Sequence, residues 1–199
     1  MLKLHNTYSN TVEEFKPESD IVKIYLCGPT VQSSPHVGHG RSAVVFDFLI
    51  RYLVFLDYEV NFVRNITDIE DKIIEKAEEE GITTKELADR VTREFQDAYS
   101  GLNCLPPDNE PKATETIDHI INLIDKLIKN GHAYATQSGV YFEVGKSKDY
   151  LKLSGRNKDE VISGTRIDLE PDKKNTEDFA LWKISEENEP SWNSPWGDG

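Results

Sequence analysis

Cysteine is scarce in this chain, which has only Cys27 and Cys104 among its 199 residues. Two cysteines at unrelated positions cannot form the disulfide framework that is typical of small secreted domains, and they indicate a reducing compartment. The N-terminal segment MLKLHNTYSN also lacks the basic and then apolar layout of a signal peptide. We therefore expect a cytoplasmic protein.

Long apolar runs and an excess of basic charge are lacking as well. The most apolar window, AVVFDFLIRYLVFLDY, is interrupted by Asp47 and Arg51 and is too short to span a bilayer, so no membrane partner is expected. The net charge is −13, from 36 acidic and 23 basic side chains. Such a chain repels a phosphate backbone over most of its surface, which argues against general nucleic-acid binding but leaves room for a small positive nucleotide pocket.

The first third of the chain has the pattern of a βαβ unit. The apolar run DIVKIYL predicts a strand that ends at Gly28-Pro29. A helix is predicted to start near residues 33–35, where serine suits the cap and proline the first turn, and to be largely buried because it is apolar on more than one face. YEVNFVRNIT predicts a second strand. In such a unit a ligand is expected where the first strand meets the helix.

Further elements are predicted downstream, and a proline-rich break at 105–111 is the first candidate boundary. In chain order they are a helix ending before Gly81, a helix over 83–102, a helix over 117–128 stopped by Gly131, a hairpin turning at 137–139, and a polar, irregular segment over 145–199 with an apolar island at DFALWK.

The stretch CGPTVQSSPHVGHGR, residues 27–41, concentrates the residues that could carry chemistry. The residue type alone favours Cys27 as a small buried apolar side chain at a strand end. The alternative is a thiolate metal ligand, which needs three further partners for a closed zinc site. No Cys-x-x-Cys or His-x-x-x-His motif lies nearby, so spacing alone does not support the metal interpretation.

The histidines at positions 36 and 39 have three interpretations. They are exposed or cap the helix, they chelate a metal from one helix face, or they donate hydrogen bonds to phosphate oxygens beside free backbone N–H groups at the helix N-terminus. Gly38 between them removes a side chain where a flat ligand would approach closely, and Arg41 adds positive charge.

At the end of the second predicted strand, TDIE (67–70) fits a helix capping box, and the pattern favours Thr67 as the cap over a ligand site. Asp68, Glu70 and Asp71 could hold a metal, but acidic side chains in a first helical turn need no metal to explain them.

Three motifs together resemble the class I aminoacyl-tRNA synthetases, specifically the cysteinyl-tRNA synthetases: Cys-Gly-Pro-Thr at 27–30, His-Val-Gly-His at 36–39 and NITDIEDKI at 65–73. Further matching stretches follow in order at 110–124, 140–144, 152–156, 177–183 and 189–199. The resemblance covers the chain from about residue 5 onward.

The resemblance implies an α/β fold, namely a Rossmann-like nucleotide-binding half-domain with an α+β connective insertion. Residues 1–104 would be the first half of the catalytic domain, 105–190 the connective insertion, and 191–199 a truncated return toward the catalytic domain.

The resemblance also implies a reaction. Such enzymes join L-cysteine and ATP, accompanied by magnesium, into cysteinyl-adenylate, and pass the cysteinyl group to tRNA(Cys). Cys27 would be a zinc ligand, and the zinc would take the thiol of the substrate and reject serine, whose hydroxyl is a poorer ligand.

The remaining site residues have implied roles in the same pocket. His36 and His39 would act in catalysis by contacting the ATP phosphates and stabilising charge on the α-phosphate. The residues expected to bind cysteine, ATP or the adenylate are Gly28, Thr30, Gly38, Ser42, Asn65 and Thr67.

The family's other zinc ligands, its mobile lysine-serine loop and most of its tRNA-binding surface would lie beyond residue 199. We therefore expect this chain alone to bind zinc weakly or not at all and to be inactive as a synthetase. Two alternatives remain: a cysteine ligase of mycothiol synthesis with the same catalytic core, and a non-catalytic nucleotide-binding fragment.

Overall fold

A computed structural model describes residues 1–17, 19–156 and 172–199 of the chain. These residues divide into two compact units. One comprises Lys16–Thr116, and the other comprises Met1–Phe15 together with Ile117–Gly199. Each unit has its own cluster of buried apolar side chains.

The described residues form seven β-strands and four α-helices. In chain order they are β1 (Lys3–Asn6), β2 (Thr11–Glu14), β3 (Ile21–Leu26), α1 (Val37–Phe55), β4 (Glu59–Arg64), α2 (Asp71–Glu80), α3 (Thr84–Gly101), α4 (Ile117–Lys129), β5 (Ala133–Ala135), β6 (Gly139–Phe142) and β7 (Phe179–Lys183).

The unit formed by residues 16–116 is built on the predicted βαβ arrangement, which the structure confirms. β3 and β4 are parallel, in register from Ile21 opposite Glu59 to Leu26 opposite Arg64, and α1 connects them. The carboxyl ends of both strands therefore lie at the same edge of the sheet, which is where ligands bind in folds of this kind.

The predicted start of α1 is wrong by a few residues. The helix begins at Val37, and its N-cap is His36 rather than Ser33 or Ser34. The physical reason is that the ring of His36 accepts a hydrogen bond from the N–H of Gly38, which is the role that a serine hydroxyl was expected to fill. Pro35 also disfavours helical backbone at the residue before it.

The expectation that α1 is largely buried is also wrong. Only Ala43, Ile50 and Leu53 of this helix are buried, whereas Phe48 is 72% exposed and Phe55 is 78% exposed. A helix needs a covering layer on each apolar face, and the described sheet beside α1 has only two strands.

The predicted capping box at the start of α2 is wrong as well. The N-cap is Glu70, whose carboxylate accepts the N–H of Lys72. Thr67 is unavailable as a cap because its backbone forms a parallel bridge with Thr30. The predicted end at Gly81 is confirmed, since this residue adopts the left-handed conformation that glycine tolerates.

The next helix, α3, has a capping box of its own. The hydroxyl of Thr83 accepts the N–H of Glu86, and the carboxylate of Glu86 accepts the N–H of Thr83. α3 buries one face, and its Leu87, Val91 and Phe95 join Val31 in the core of this unit. This packing holds the loop after β3 against α3.

The other unit contains the antiparallel pair β1–β2 and a three-stranded antiparallel sheet in the order β5-β6-β7. α4 packs its apolar face on this sheet through Ile124, beside Val140 and Trp182. The predicted hairpin is confirmed as β5 and β6. The apolar island forms β7, so the prediction of an irregular segment is wrong there; residues 157–171 of that segment lie outside the described residues.

Among the helices of the described ranges, none is both long and apolar enough to cross a membrane.

Candidate functional site

A cavity of about 330 Å³ opens where β3 ends and α1 begins, within the unit formed by residues 16–116. Its volume falls in the range of small-molecule sites, roughly 300–1,000 Å³. It is lined by Leu26, Cys27, Gly28, Pro29, Thr30, Gln32, Ser33, His36, His39, Ser42, Ala43, Arg64 and Tyr99. Six of the nine predicted site residues are on this wall: Cys27, Gly28, Thr30, His36, His39 and Ser42.

The chain segments that follow β3 and β4 stay together beyond the sheet. Thr30 and Thr67 form a parallel bridge, in which the N–H of Thr67 donates to the carbonyl of Pro29 at 3.1 Å. The N–H of Val31 donates to the carbonyl of Thr67, also at 3.1 Å. Thr67 is therefore held beside the cavity wall although it does not line the cavity itself.

Asn65 connects the same two segments through its side chain. Its Oδ1 accepts the N–H of Gly28 at 2.8 Å and the hydroxyl of Tyr25 at 3.0 Å. Its Nδ2 donates to Oγ1 of Thr67 at 3.2 Å. The backbones approach closely here, because a Cβ on Gly28 would lie 1.5 Å from the carbonyl oxygen of Asn65.

His36 and His39 cap α1 reciprocally. Nδ1 of His36 accepts the N–H of Gly38 at 3.1 Å, and Nδ1 of His39 accepts the N–H of His36 at 3.2 Å. The two rings lie 3.9 Å apart between centroids. The interpretation as a helix cap is thus confirmed for His36.

The capping bonds select one tautomer of each neutral ring. A ring nitrogen that accepts a hydrogen bond carries no proton, so each neutral imidazole holds its proton on Nε2. Burial, with a smaller contribution from the neighbouring His36, lowers the pKa of His39 and so favours its neutral form. Two Nε2–H groups remain as donors on residues that line the cavity.

Some of the backbone N–H groups at the start of α1, which were expected to be free for a phosphate, are already used within the protein. The N–H of Gly38 is used by His36, and the N–H of His39 donates to the carbonyl of His36 at 2.9 Å. The helix dipole remains favourable for an anion, since no acidic side chain lies in the first turn of α1.

Gly38 has a role within the turn itself. A Cβ at this position would lie 2.9 Å from Cε1 and 3.0 Å from Nδ1 of His36, so a larger residue displaces the capping ring. Ser42 is exposed, one turn beyond His39 on α1.

Cys27 is exposed, so its interpretation as a buried apolar side chain is wrong. Across the described residues, no group of three or more histidine, cysteine, aspartate or glutamate side chains is placed to hold a metal ion. One thiolate does not make a closed zinc site, so these residues by themselves do not fit tetrahedral zinc. Cys104 packs half-buried against the core, and burial raises the pKa of its thiol.

The acidic residues after β4 are explained without a metal. Asp68 is buried, and its two carboxylate oxygens accept the N–H and the hydroxyl of Thr114 at 3.0 and 2.5 Å. Glu70 is the cap of α2.

Sequence reasoning missed Arg64 and Tyr99, which both line the cavity. Arg64 is 5% exposed, its Nη2 lies 2.8 Å from Oε1 of Glu110, and its Cζ lies 4.4 Å from the centre of the Tyr99 ring. The sequence feature that could have indicated Arg64 is its position as a charged residue at the end of an apolar strand, directly before Asn65.

The cavity differs in charge from the chain as a whole. No aspartate or glutamate is among the described residues that line it, and its arginine, Arg64, is paired with Glu110, which is outside that lining. In a chain of net charge −13, this is a local environment in which a negatively charged ligand is not repelled.

Comparison with known proteins places this geometry in a family. A family model described as the class I (C) tRNA synthetase catalytic domain matches residues 14–199. The chain belongs to this family. Among the curated relatives, the cysteine–tRNA ligase of Methanococcus maripaludis is 50% identical over 200 residues, and that of Halorhodospira halophila is 49% identical over 201 residues.

The synthetase relatives are longer than this chain. All of the chain is covered in both alignments, but it spans 42% of the Methanococcus maripaludis protein and 44% of the Halorhodospira halophila protein. The matching part is the N-terminal part of these relatives. The cavity described above therefore belongs to the N-terminal part of a class I synthetase catalytic domain.

Proposed function

We propose that this chain carries the nucleotide-facing part of a site that activates L-cysteine with ATP and serves a cysteine–tRNA ligase. The single observation that carries the proposal is the cavity at the carboxyl ends of β3 and β4, whose lining among the described residues has no carboxylate and includes His36 and His39, each with its Nε2 outside the capping bonds.

In the proposed first step, a carboxylate oxygen of cysteine attacks the α-phosphorus of magnesium-bound ATP. The bond from that phosphorus to the bridging oxygen breaks, and pyrophosphate leaves with the bonding electron pair. Negative charge builds up on the phosphoryl oxygens, and His36 and His39 donate hydrogen bonds to them. Such donors, held in place before the reaction, stabilise the transition state more than the ground state.

In the proposed second step, a terminal ribose hydroxyl of tRNA(Cys) attacks the carbonyl carbon of the adenylate and AMP leaves. The net charge of −13 supports a tRNA surface located mainly outside this chain. Thr30, Gly28 and Ser42 are proposed to line the adenylate pocket, and Gly38 to admit the adenine.

The fold and its division are proposed in the same terms. The parallel β3–α1–β4 unit, which lies within Lys16–Thr116, supports a Rossmann-like half-domain. The proposed division assigns residues 1–104 to that half-domain, 105–190 to a connective insertion and 191–199 to a return toward the catalytic domain. Cys27 is proposed as one ligand of a zinc ion whose other ligands lie outside the described residues.

The test is cysteine-dependent ATP–pyrophosphate exchange with added zinc. It compares the 199-residue chain with the same chain joined to the remaining C-terminal part of the Methanococcus maripaludis ligase. We expect exchange only from the joined protein, with serine inert. A joined protein in which Cys27→Ser leaves the preference for cysteine over serine unchanged contradicts the role of Cys27. Exchange by the short chain contradicts its expected inactivity.

A further inference from the structure

Asn65 uses its side chain within the protein. An asparagine amide offers two acceptor sites and two N–H donors. In this structure both acceptor sites are filled, by Gly28 and Tyr25, and one donor is used by Thr67. Little hydrogen-bonding capacity remains for a substrate.

We propose that Asn65 is a positioning residue, which holds the Cys27–Gly28 turn and the Thr67 hydroxyl in fixed relation at the edge of the cavity. The proposal rests on the proposed function, because it places Asn65 beside Cys27, the residue proposed to act on the substrate cysteine through zinc. Asn65 itself makes no contact with cysteine or ATP in this proposal.

The three side-chain hydrogen bonds of Asn65, here called the clamp, are needed because of where Asn65 lies relative to the sheet. The β3–β4 ladder ends at Leu26 opposite Arg64, one residue before Asn65. The next backbone hydrogen bonds between the two segments are those of the bridge from Thr30 to Thr67. Between these points, the Asn65 amide provides the hydrogen bond that secures the half-buried N–H of Gly28.

The hydrogen bond from Asn65 also sets the direction in which the Thr67 hydroxyl can donate its proton. Because its Oγ1 accepts a hydrogen bond from Nδ2 of Asn65, the hydroxyl proton of Thr67 stays free to donate to another group. Without the amide, the hydroxyl rotates and its donor direction is no longer defined.

The first experiment measures hydrogen exchange of the Gly28 amide by NMR in the 199-residue chain. Loss of one intramolecular hydrogen bond of about 1 kcal/mol corresponds to roughly 5-fold faster exchange. We expect that acceleration for Asn65→Ala and not for Asn65→Asp, whose carboxylate still accepts the Gly28 N–H. Asn61→Ala, on the exposed side of β4, is the matched control. Equal Gly28 exchange in the wild type and Asn65→Ala overturns the proposal.

The second experiment measures whether Asn65 acts through Thr67. In the joined protein described above, we expect Asn65→Ala to raise the KM for cysteine several-fold more than the KM for ATP. We expect this effect to be much smaller in a Thr67→Val background, because the hydroxyl that Asn65 orients is then absent. An undiminished effect in that background means that Asn65 contacts cysteine directly, which overturns the proposal.

The two possible failures are distinguishable. If the wild-type joined protein shows no cysteine-dependent exchange, the proposed function fails, while Gly28 exchange in the short chain still reports on the clamp. If the wild type is active and Gly28 protection is unaffected by Asn65→Ala, the function stands and the clamp fails.

Discussion

Nδ1 of His36 accepts the N–H of Gly38 in the first turn of α1, and Nδ1 of His39 accepts the N–H of the N-cap residue His36. One pair of side chains therefore caps the helix, and the Nε2 atom of each ring stays outside the capping bonds on a residue that lines the cavity. The capping role and the proposed phosphate role use different nitrogens of the same rings, so substitution can separate them.

His36→Asn is expected to separate these two roles. Asparagine is a good N-cap, so the free energy of unfolding should change by only a few tenths of a kcal/mol, whereas His36→Ala should lower it by about 1 kcal/mol. Both variants lose the Nε2–H donor, so both should bind magnesium–ATP more weakly than the wild type. Urea unfolding and isothermal titration measure the two properties, and wild-type ATP affinity in His36→Asn contradicts the phosphate role.

The lowered pKa of His39 predicts a dependence of stability on pH. The unfolded chain protonates this ring near its ordinary pKa of 6.5, while the folded chain does so only at lower pH, because burial and the nearby His36 disfavour the charged ring. Between these values the unfolded state binds more protons. The contribution of His39 to the free energy of unfolding should therefore fall as the pH decreases from above 6.5 through the lowered folded pKa.

A comparison of pH series for the wild type and His39→Gln measures that contribution. The difference between the two free energies of unfolding should change across this window and be constant above it. A constant difference throughout would show that His39 titrates alike in the folded and unfolded chains.

Gly38→Ala is expected to destabilise the chain although alanine favours helices. Its Cβ would lie 2.9 Å from Cε1 of His36 and would displace the capping ring, so we expect a loss of about 1 kcal/mol. Gly101→Ala is the control, because a Cβ at Gly101 meets nothing within 4 Å among the described atoms. That variant should be neutral or more stable by up to about 1 kcal/mol. Equal effects at the two glycines in thermal unfolding would contradict the contact with His36.

Removing only one partner of the ion pair between Arg64 and Glu110 is expected to lower the free energy of unfolding strongly. Glu110→Met leaves the buried guanidinium without its carboxylate, and loss of one partner of a buried pair costs about 3 kcal/mol. Replacing both residues by methionine should cost less than Glu110→Met alone. Glu79→Ala, which removes an exposed pair with Lys76, is the control and should leave the free energy of unfolding nearly unchanged, because solvent screens such pairs. Additive effects of the two methionine substitutions would contradict coupling across the pair.

The parts of the fold that follow from local pattern were predictable. The apolar runs around Ile24 and Phe62 and the helix between them define the βαβ unit, and glycine at position 81 marks a helix end. The meeting of residues 27–30 with His36 and His39 around one cavity was predictable, because the carboxyl end of a first strand and the next helix meet in such units.

The features that depend on distant residues were not predictable. Thr67 has the local sequence of a cap, but its backbone is bridged to Thr30, 37 positions earlier in the chain. The cap at His36 is local, but it was not predictable either, because histidine is not among the residues that usually accept a first-turn N–H as His36 accepts that of Gly38. Arg64 on the cavity wall contacts Tyr99 of α3 and Glu110 of the segment that bridges to β4, and both partners are distant in the chain.

The exposed side of α1 has a practical consequence for measurements in solution. Phe48 and Phe55 are seven residues apart, two turns along the helix, and both rings are in water. Each Å² of apolar surface withdrawn from water gains about 25 cal/mol, so small aromatic reporters should adsorb there before any unfolding occurs. In a thermal unfolding scan with such a dye, the fluorescence of the folded chain should already be high and should mask the unfolding transition. Calorimetry does not depend on dye binding and should report the unfolding temperature of this chain more accurately.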